Sequence, residues 1–175
     1  AALSGKTVAI IGLGYVGLPL ALAFGRVMPT IGFDISEAKL KAYREGYDPT
    51  GEMESAAFQA STQLTVTSQA SDLAAADYLI IAVPTPIDNA KQPDLTPVIR
   101  ATETIAAHLK AGAIVIYEST VYPGVTDDVW APILERLSGK RRGVDFKLGY
   151  SPERINPGDK THRLETIIKI VAADD

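Results

Sequence analysis

The feature that most constrains this chain is an apolar run that passes directly into three glycines with G-x-G-x-x-G spacing, Val8-Ala9-Ile10-Ile11-Gly12-Leu13-Gly14-Tyr15-Val16-Gly17. Gly12 permits a sharp turn after a strand, Gly14 lets a ligand approach the backbone, and Gly17 lets the next helix pack on the strand. The free N–H groups that begin this helix favour an anion. The pattern therefore predicts a turn that holds the pyrophosphate of a dinucleotide.

An acidic residue further on indicates which dinucleotide this turn would hold. Asp34 ends the next apolar run, 22 residues after Gly12. At that spacing a carboxylate can accept hydrogen bonds from the two hydroxyls of a ribose. The same charge would repel a 2′-phosphate, so we predict NAD as the cofactor rather than NADP.

The composition favours a single globular domain. The chain has 175 residues, of which 46% are hydrophobic and 22% charged, and a net charge of -4. Without a dense basic block, nucleic acid is not an expected partner. The absence of cysteine excludes disulfides, thiolate metal sites and a cysteine nucleophile within these residues. The two histidines lie too far apart in sequence to suggest a metal site, and we expect none.

Residues 7–25 carry no charge and resemble a membrane span or a signal peptide in hydropathy alone. The stretch contains four glycines and Pro19, which weaken a helix in lipid, and no cleavage site of small residues follows it. We therefore expect no membrane segment here and a cytoplasmic protein.

Strand-like and helix-like patterns alternate along the whole chain. Strands are predicted over residues 7–11, 30–34, 64–67, 78–83, 113–117, 146–150 and 167–171. Helices are predicted over residues 16–28, 72–76, 97–110 and 126–137, and another is capped by Ser36 and closed by Gly46. Residues 47–61 are less regular. The alternation predicts an α/β protein with a Rossmann-like, doubly wound, mostly parallel sheet and helices on both faces.

The segments that follow these strands are rich in glycine, proline and hydroxyl side chains. They are residues 12–17, the residues after Asp34, and residues 83–86, 118–124 and 151–158. Ligands of such sheets bind where the strands end. Hydroxyls and free N–H groups there can hold ribose, phosphate or sugar, so we predict one binding site along this edge.

Several of these motifs, in this order, resemble the NAD-binding domain of the UDP-glucose/GDP-mannose dehydrogenase family over essentially the whole chain. They are Gly-Leu-Gly-Tyr-Val-Gly-Leu-Pro from Gly12, Asp34, Val83-Pro84-Thr85-Pro86, Ser119-Thr120-Val121-Tyr122-Pro123-Gly124 and Ser151-Pro152-Glu153-Arg154. Residues 46–52, 91–97 and 154–159 are similar to the branch that acts on UDP-N-acetylhexosamines, with GlcNAc or GalNAc as the sugar. Members of this branch supply uronic acids for O-antigen, capsule and Vi polysaccharides.

The resemblance implies an NAD-dependent oxidation of the sugar C6 alcohol of a UDP-sugar to a carboxylate, through a thioester on a cysteine. It implies that Glu153 and Thr120 handle a water or a proton, and that Arg154, Asn156 and Gly158 lie on the substrate side. Together with the glycine fingerprint, the implied cofactor-binding residues are Gly12, Gly14, Tyr15, Val16, Gly17, Asp34, Lys39, Thr85, Ser119 and Thr120.

Two departures from the family pattern favour the acetylhexosamine branch over UDP-glucose. Glu118 stands where UDP-glucose enzymes usually have a basic residue, and Pro157 where they have a second acid. The nucleophilic cysteine, lysine and asparagine of the family belong to segments beyond residue 175. We therefore expect residues 1–175 to be an NAD-binding domain that is inactive without the family's central helix and C-terminal UDP-binding domain. The full-length protein is expected to be a homodimer or higher homo-oligomer.

Three alternatives remain open at this stage. The chain could belong to a UDP-glucose 6-dehydrogenase, to a stand-alone NAD-sensing module without catalysis, or to a hydroxyacid dehydrogenase of the β-hydroxyacid type. A cysteine in a glycine-rich loop downstream in the reading frame would support the NAD-binding domain of a UDP-N-acetylhexosamine 6-dehydrogenase over the last two alternatives.

Overall fold

The described residues form a sheet of six parallel strands. A computed structural model describes residues 5–83, 89–91, 94–118, 127–141, 143 and 146–151. The strands are β1 (Val8–Ile11), β2 (Thr30–Phe33), β3 (Leu64–Thr67), β4 (Tyr78–Ile81), β5 (Ala113–Glu118) and β6 (Phe146–Ser151). Their spatial order is β3-β2-β1-β4-β5-β6, and every pairing is parallel. The chain thus winds outward from β1 in both directions, which opens a crevice at the ends of β1 and β4.

Helices cover both faces of this sheet. They are α1 (Gly17–Phe24), α2 (Glu37–Arg44), α3 (Ser55–Ala60), α4 (Thr96–Ala106) and α5 (Asp127–Ser138). Successive residues of β1 point to opposite faces, so Val8 and Ile10 belong to the core that contains α1 and α2, whereas Ala9 and Ile11 belong to the core that contains α4 and α5. The predicted doubly wound α/β fold is confirmed.

The three central strands, β2, β1 and β4, are paired so that they begin and end at the same level. Val8 of β1 pairs with Thr30 of β2 on one side and with Tyr78 of β4 on the other. At the far end of these strands, Ile11 pairs with Phe33 and Ile81. The central strands therefore end at the same level, and the first residues after them, Gly12, Asp34 and Ala82, lie side by side.

The uncharged stretch at the start of the chain is explained by the burial of α1. This helix buries Leu18, Leu20, Leu22 and Phe24 among its eight residues, so it presents almost no polar face. In the described ranges, no helix has the length and apolar character needed to cross a membrane.

The elements differ from the predicted ones chiefly at their ends. The first helix stops at Phe24 rather than at residue 28. Gly25 is its C-cap, and residues 25–27 form a turn in which the Val27 N–H donates to the Phe24 carbonyl at 3.0 Å. The predicted short helix over 72–76 is a 3₁₀ turn over Ala70–Ala75. The segment described as less regular contains α3, which is too short to show a helical period. The predicted strand over 167–171 lies outside the described residues.

Asp77 ties the beginning of β1 to the beginning of β4. Its Oδ2 accepts a hydrogen bond from the Thr7 N–H at 2.9 Å, and its Oδ1 contacts Lys110 Nζ at 2.7 Å. Burial raises the pKa of Asp77, but the hydrogen bonds from Lys110 and Thr7 outweigh burial and hold this pKa below its usual range. The ionised carboxylate therefore stabilises the fold.

We expect Asp77→Asn to lower the free energy of unfolding by about 1 kcal/mol at pH 7. Because the pKa is lower in the folded state, this contribution is complete above the ordinary aspartate value of about 3.9 and disappears as the pH falls below it. Urea denaturation at pH 7 and pH 3 should show the difference between wild type and variant shrinking in acid. Glu103→Gln, at an exposed position on α4, is the control; a difference of the same size at both pH values would contradict the prediction.

Candidate dinucleotide-binding site

The turn after β1 requires glycine at its first position for two reasons. Gly12 has a φ angle of 94°, a conformation that side chains with a Cβ rarely adopt. A Cβ built on Gly12 would also lie 3.0 Å from the backbone N and Cα of Val83. The Gly12 N–H donates to the Phe33 carbonyl at 2.8 Å, so the turn is tied to β2 on one side and lies close to the backbone of Val83, after β4, on the other.

The other two glycines of the fingerprint have opposite surroundings. A Cβ on Gly17 would lie 1.6 Å from the Gly12 carbonyl oxygen, so α1 abuts the backbone of the turn directly. A Cβ on Gly14 would meet nothing within 4 Å. Gly17 is therefore needed for packing, whereas the space beside Gly14 is open to a ligand.

The start of α1 is suited to an anion. Val16 occupies the N-cap position, and within the described part of the chain no side chain caps this helix. The Leu18 N–H bonds to the Gly14 carbonyl at 3.1 Å, and the side chain of Tyr15 is 68% exposed beside it. A helix end without a side-chain cap can direct its first N–H groups at a phosphate.

Asp34 is buried at the end of β2 and faces the fingerprint. Its Oδ2 accepts a hydrogen bond from the Leu13 N–H at 2.9 Å, and its Oδ1 accepts one from the Ser36 N–H at 2.9 Å. Lys39 Nζ lies 3.9 Å from Asp34 Oδ2. Because each carboxylate oxygen offers two lone pairs, Asp34 keeps acceptor capacity for the hydroxyls of a ribose.

A cleft of about 500 Å³ joins these groups. Gly14, Asp34 and Lys39 line one side, while Pro97 and Arg100 of α4 line the other. Ile35, which is 86% exposed, also borders the cleft and adds apolar surface. The cleft thus combines the glycine turn that precedes α1, a carboxylate and an apolar wall, which suit the pyrophosphate, ribose and base of a dinucleotide.

The α4 side of the cleft was not predicted. Thr96, Arg100 and Thr104 all line the cleft and are spaced four residues apart, which places them on one face of α4. The four-residue spacing of these polar side chains is the sequence pattern that could have indicated that this face of α4 borders a site. Asp94 accepts a hydrogen bond from the Thr96 N–H at 3.0 Å, and hydrogen bonds from Thr96 hold the pKa of Asp94 below its usual range. This carboxylate therefore secures the first turn of α4.

The predicted site residues within the described ranges lie close together. The three glycines, Asp34 and Lys39 surround the turn between β1 and α1. The remaining predicted residues lie outside the described ranges: Thr85, Ser119, Thr120, Glu153, Arg154, Asn156 and Gly158. In sequence they follow the ends of β4, β5 and β6. Their roles stay predictions. Among the described residues, no cluster of three or more histidine or acidic side chains is placed to hold a metal ion.

Comparison with known proteins agrees with this geometry. Residues 6–173 match the NAD binding domain of the UDP-glucose/GDP-mannose dehydrogenase family. The chain is 51% identical over 165 residues to a UDP-N-acetyl-D-glucosamine 6-dehydrogenase of Pseudomonas aeruginosa, covering 94% of this chain and 39% of that protein. It is 49% identical over 165 residues to the Salmonella typhi protein of the same name, with the same shares covered. The chain thus spans about 39% of the length of these relatives.

Solved structures show the same fold. GDP-mannose dehydrogenase of Pseudomonas aeruginosa superposes with a TM-score of 0.81 at 26% identity, over 95% of this chain and 44% of that one. A UDP-D-ManNAc dehydrogenase of Pyrococcus horikoshii superposes with a TM-score of 0.77 at 32% identity, over the same shares of the two chains. The chain belongs to the UDP-glucose/GDP-mannose dehydrogenase family, whose NAD-binding domain it forms.

Proposed function

We propose that this chain is the cofactor-binding part of a UDP-N-acetylhexosamine 6-dehydrogenase. Such an enzyme oxidises the C6 alcohol of UDP-GlcNAc or UDP-GalNAc to a carboxylate and reduces two NAD⁺. The observation that carries the proposal is the cleft in which the open side of Gly14 and the buried carboxylate of Asp34 face the same space. The half-identical relatives named for UDP-N-acetyl-D-glucosamine support the sugar class.

The residues of the cleft fit NAD, whose nicotinamide accepts the hydride. Gly14 and the uncapped start of α1 would receive the pyrophosphate. Asp34 would accept hydrogen bonds from the hydroxyls of the adenosine ribose, with the Lys39 ammonium 3.9 Å from its carboxylate. Ile35 and Arg100 would flank the base, one through apolar contact and the other through its planar guanidinium. These groups bind and orient the cofactor, and none of them takes part in covalent chemistry.

We assign the chemistry on the sugar to residues that follow the last strands. In this proposal Glu153 and Thr120 handle the water or proton, Thr85 and Ser119 also contact the cofactor, and the substrate contacts Arg154, Asn156 and Gly158. A carboxylate in a closed cleft can have its proton affinity raised to suit proton transfer. The spacing of these motifs along the sequence and the family match support the assignment.

The proposed reaction also requires parts of the protein outside these 175 residues. Because the chain contains no cysteine, the thioester step requires a cysteine outside these 175 residues. We place it, with its lysine and asparagine partners, in a UDP-binding domain reached through a central helix that also forms the homodimer. The proposed product is a uronic acid for surface polysaccharide of the O-antigen, capsule or Vi type, made in the cytoplasm.

Titration of the purified protein tests the cofactor assignment. We expect NAD⁺ and ADP-ribose to bind at submillimolar to millimolar concentration, and NADP⁺ to bind at least roughly tenfold more weakly because its 2′-phosphate meets Asp34. Isothermal calorimetry measures all three affinities. Absence of binding by NAD⁺ at millimolar concentration, or equal affinity for NADP⁺, would show the cofactor assignment to be wrong.

A further inference from the structure

The residue between the first two glycines of the fingerprint is held at three points. The Leu13 N–H donates to Asp34 Oδ2 at 2.9 Å, and the Leu13 carbonyl accepts a hydrogen bond from the Tyr43 hydroxyl at 2.8 Å. The Leu13 side chain covers Gly32, where a Cβ would come within 3.1 Å of Leu13 Cδ1. Leu13 is fully buried, so water cannot easily replace any of these contacts.

The bond from Tyr43 determines how the next peptide unit is turned. The Leu13 carbonyl and the Gly14 N–H belong to one planar trans unit, in which the two groups point in opposite directions. With the carbonyl held toward α2, the Gly14 N–H is directed away from the Tyr43 hydroxyl. Rotation of this unit changes the ψ angle of Leu13 and the φ angle of Gly14, and glycine would otherwise allow the change in φ at little steric cost.

Tyr43 is itself firmly supported. Its side chain is buried on α2, and its ring stacks on Phe58 of α3 with the ring centres 5.9 Å apart. Burial, with the nearby carboxylates of Asp48 and Asp34, raises the pKa of Tyr43 to about 12. At neutral pH the hydroxyl therefore keeps its proton and donates to Leu13.

The loop after α2 completes this support. Asp48 is buried, its Oδ1 accepts a hydrogen bond from the Thr50 N–H, and its Oδ2 accepts one from the Met53 N–H, both at 2.9 Å. These bonds fold residues 48–53 into a compact turn that leads into α3. The turn and α3 thus keep Phe58 against the ring of Tyr43.

We propose that Tyr43 is a positioning residue for the pyrophosphate-binding turn, acting through the Leu13 carbonyl. Tyr43 is not among the residues that line the cleft proposed for the cofactor. It orders the peptide unit between Leu13 and Gly14 before the cofactor arrives, so binding needs less rearrangement of the turn. The inference rests on the proposed function, because only a ligand with a pyrophosphate would benefit from this order.

The test compares ligands that do and do not reach the turn. In Tyr43→Phe, which keeps the ring and its stacking, we expect ADP-ribose and NAD⁺ to bind roughly tenfold more weakly. Adenosine, which lacks the pyrophosphate, should bind within about twofold of wild type. Tyr47→Phe is the matched control, since Tyr47 is 60% exposed, and it should change neither affinity. Unchanged ADP-ribose affinity, or an equal loss for adenosine, would overturn the inference.

Amide hydrogen exchange without ligand separates the inference from the proposed function. In Tyr43→Phe we expect residues 13–16 to exchange at least roughly tenfold faster, while β4 keeps wild-type protection. Equal exchange in the two proteins would overturn the role of Tyr43 even if NAD⁺ binds. If wild type binds neither NAD⁺ nor ADP-ribose, the proposed function fails, and the exchange result still decides whether Tyr43 orders the turn.

Discussion

Gly17→Ala is expected to lower the free energy of unfolding by about 3 kcal/mol or more. The added methyl would lie 1.6 Å from the Gly12 carbonyl oxygen and 2.8 Å from its carbonyl carbon. Both are backbone atoms at the end of a central strand, so neither can move aside as a flexible side chain could. Relief requires α1 to shift away from the sheet, and that shift opens the core beneath Leu18 and Ala21. Urea denaturation measures the loss.

Gly14→Ala is the matched variant, and it should separate folding from binding. The methyl would stand in open space, and Gly14 does not have the left-handed backbone conformation of Gly12. We expect its stability to stay within about 1 kcal/mol of wild type, and its NAD⁺ affinity to fall roughly 10- to 100-fold, because the methyl occupies space proposed for the pyrophosphate. Wild-type stability of Gly17→Ala would show that the helix does not abut the turn; unchanged NAD⁺ affinity of Gly14→Ala would place the pyrophosphate elsewhere.

Asp34→Ala should reduce the affinity for NAD⁺ by roughly 10- to 100-fold and weaken the preference for NAD⁺ over NADP⁺. The substitution removes both the acceptor for the ribose hydroxyls and the charge that repels a 2′-phosphate. Lys39 and Arg100 remain on the cleft and would then attract that phosphate. Because the Leu13 and Ser36 N–H groups also lose their acceptor, stability should fall by about 1–3 kcal/mol.

Calorimetry with NAD⁺ and NADP⁺, at a temperature where the variant is folded, distinguishes these effects. Asp94→Ala is the control, since Asp94 is a second carboxylate on the same cleft that secures α4 instead of facing the fingerprint. It should change NAD⁺ affinity by less than about threefold. NAD⁺ affinity that survives Asp34→Ala would mean that the ribose does not meet Asp34.

The parts of the fold that follow from local chemistry were predictable. The third strand was predicted over 64–67 and is found there. Ser36 was predicted to cap the second helix, and its hydroxyl does accept a hydrogen bond from the Lys39 N–H. Each glycine of the fingerprint was assigned a specific steric task, and the structure bears out the turn at Gly12 and the close packing at Gly17. The space beside Gly14 is open, and its role toward a pyrophosphate stays a prediction.

The rest depended on contacts between distant residues. Tyr43 and Leu13 are 30 positions apart, and a tyrosine on an amphipathic helix shows no sign of which carbonyl it will reach. The helix over Ser55–Ala60 buries none of its residues fully, so it carries no hydrophobic period by which to recognise it. Arg100 reaches the cleft because α4 connects β4 to β5 and packs on β4, which lies next to β1 in the sheet. That neighbourhood depends on strand order.

The equal levels at which β1, β2 and β4 end have a consequence for insertions and deletions. Because side chains alternate between faces, adding one residue within β1 would turn the side chains that follow the insertion to the opposite core if the preceding residues kept their register. It would also lift the glycine turn by one step, about 3.3 Å, relative to Asp34 on β2. The distance between the proposed sites for pyrophosphate and ribose thus depends on how many residues each central strand contains. We therefore expect a change in the length of a central strand to be less tolerated than most substitutions of its side chains.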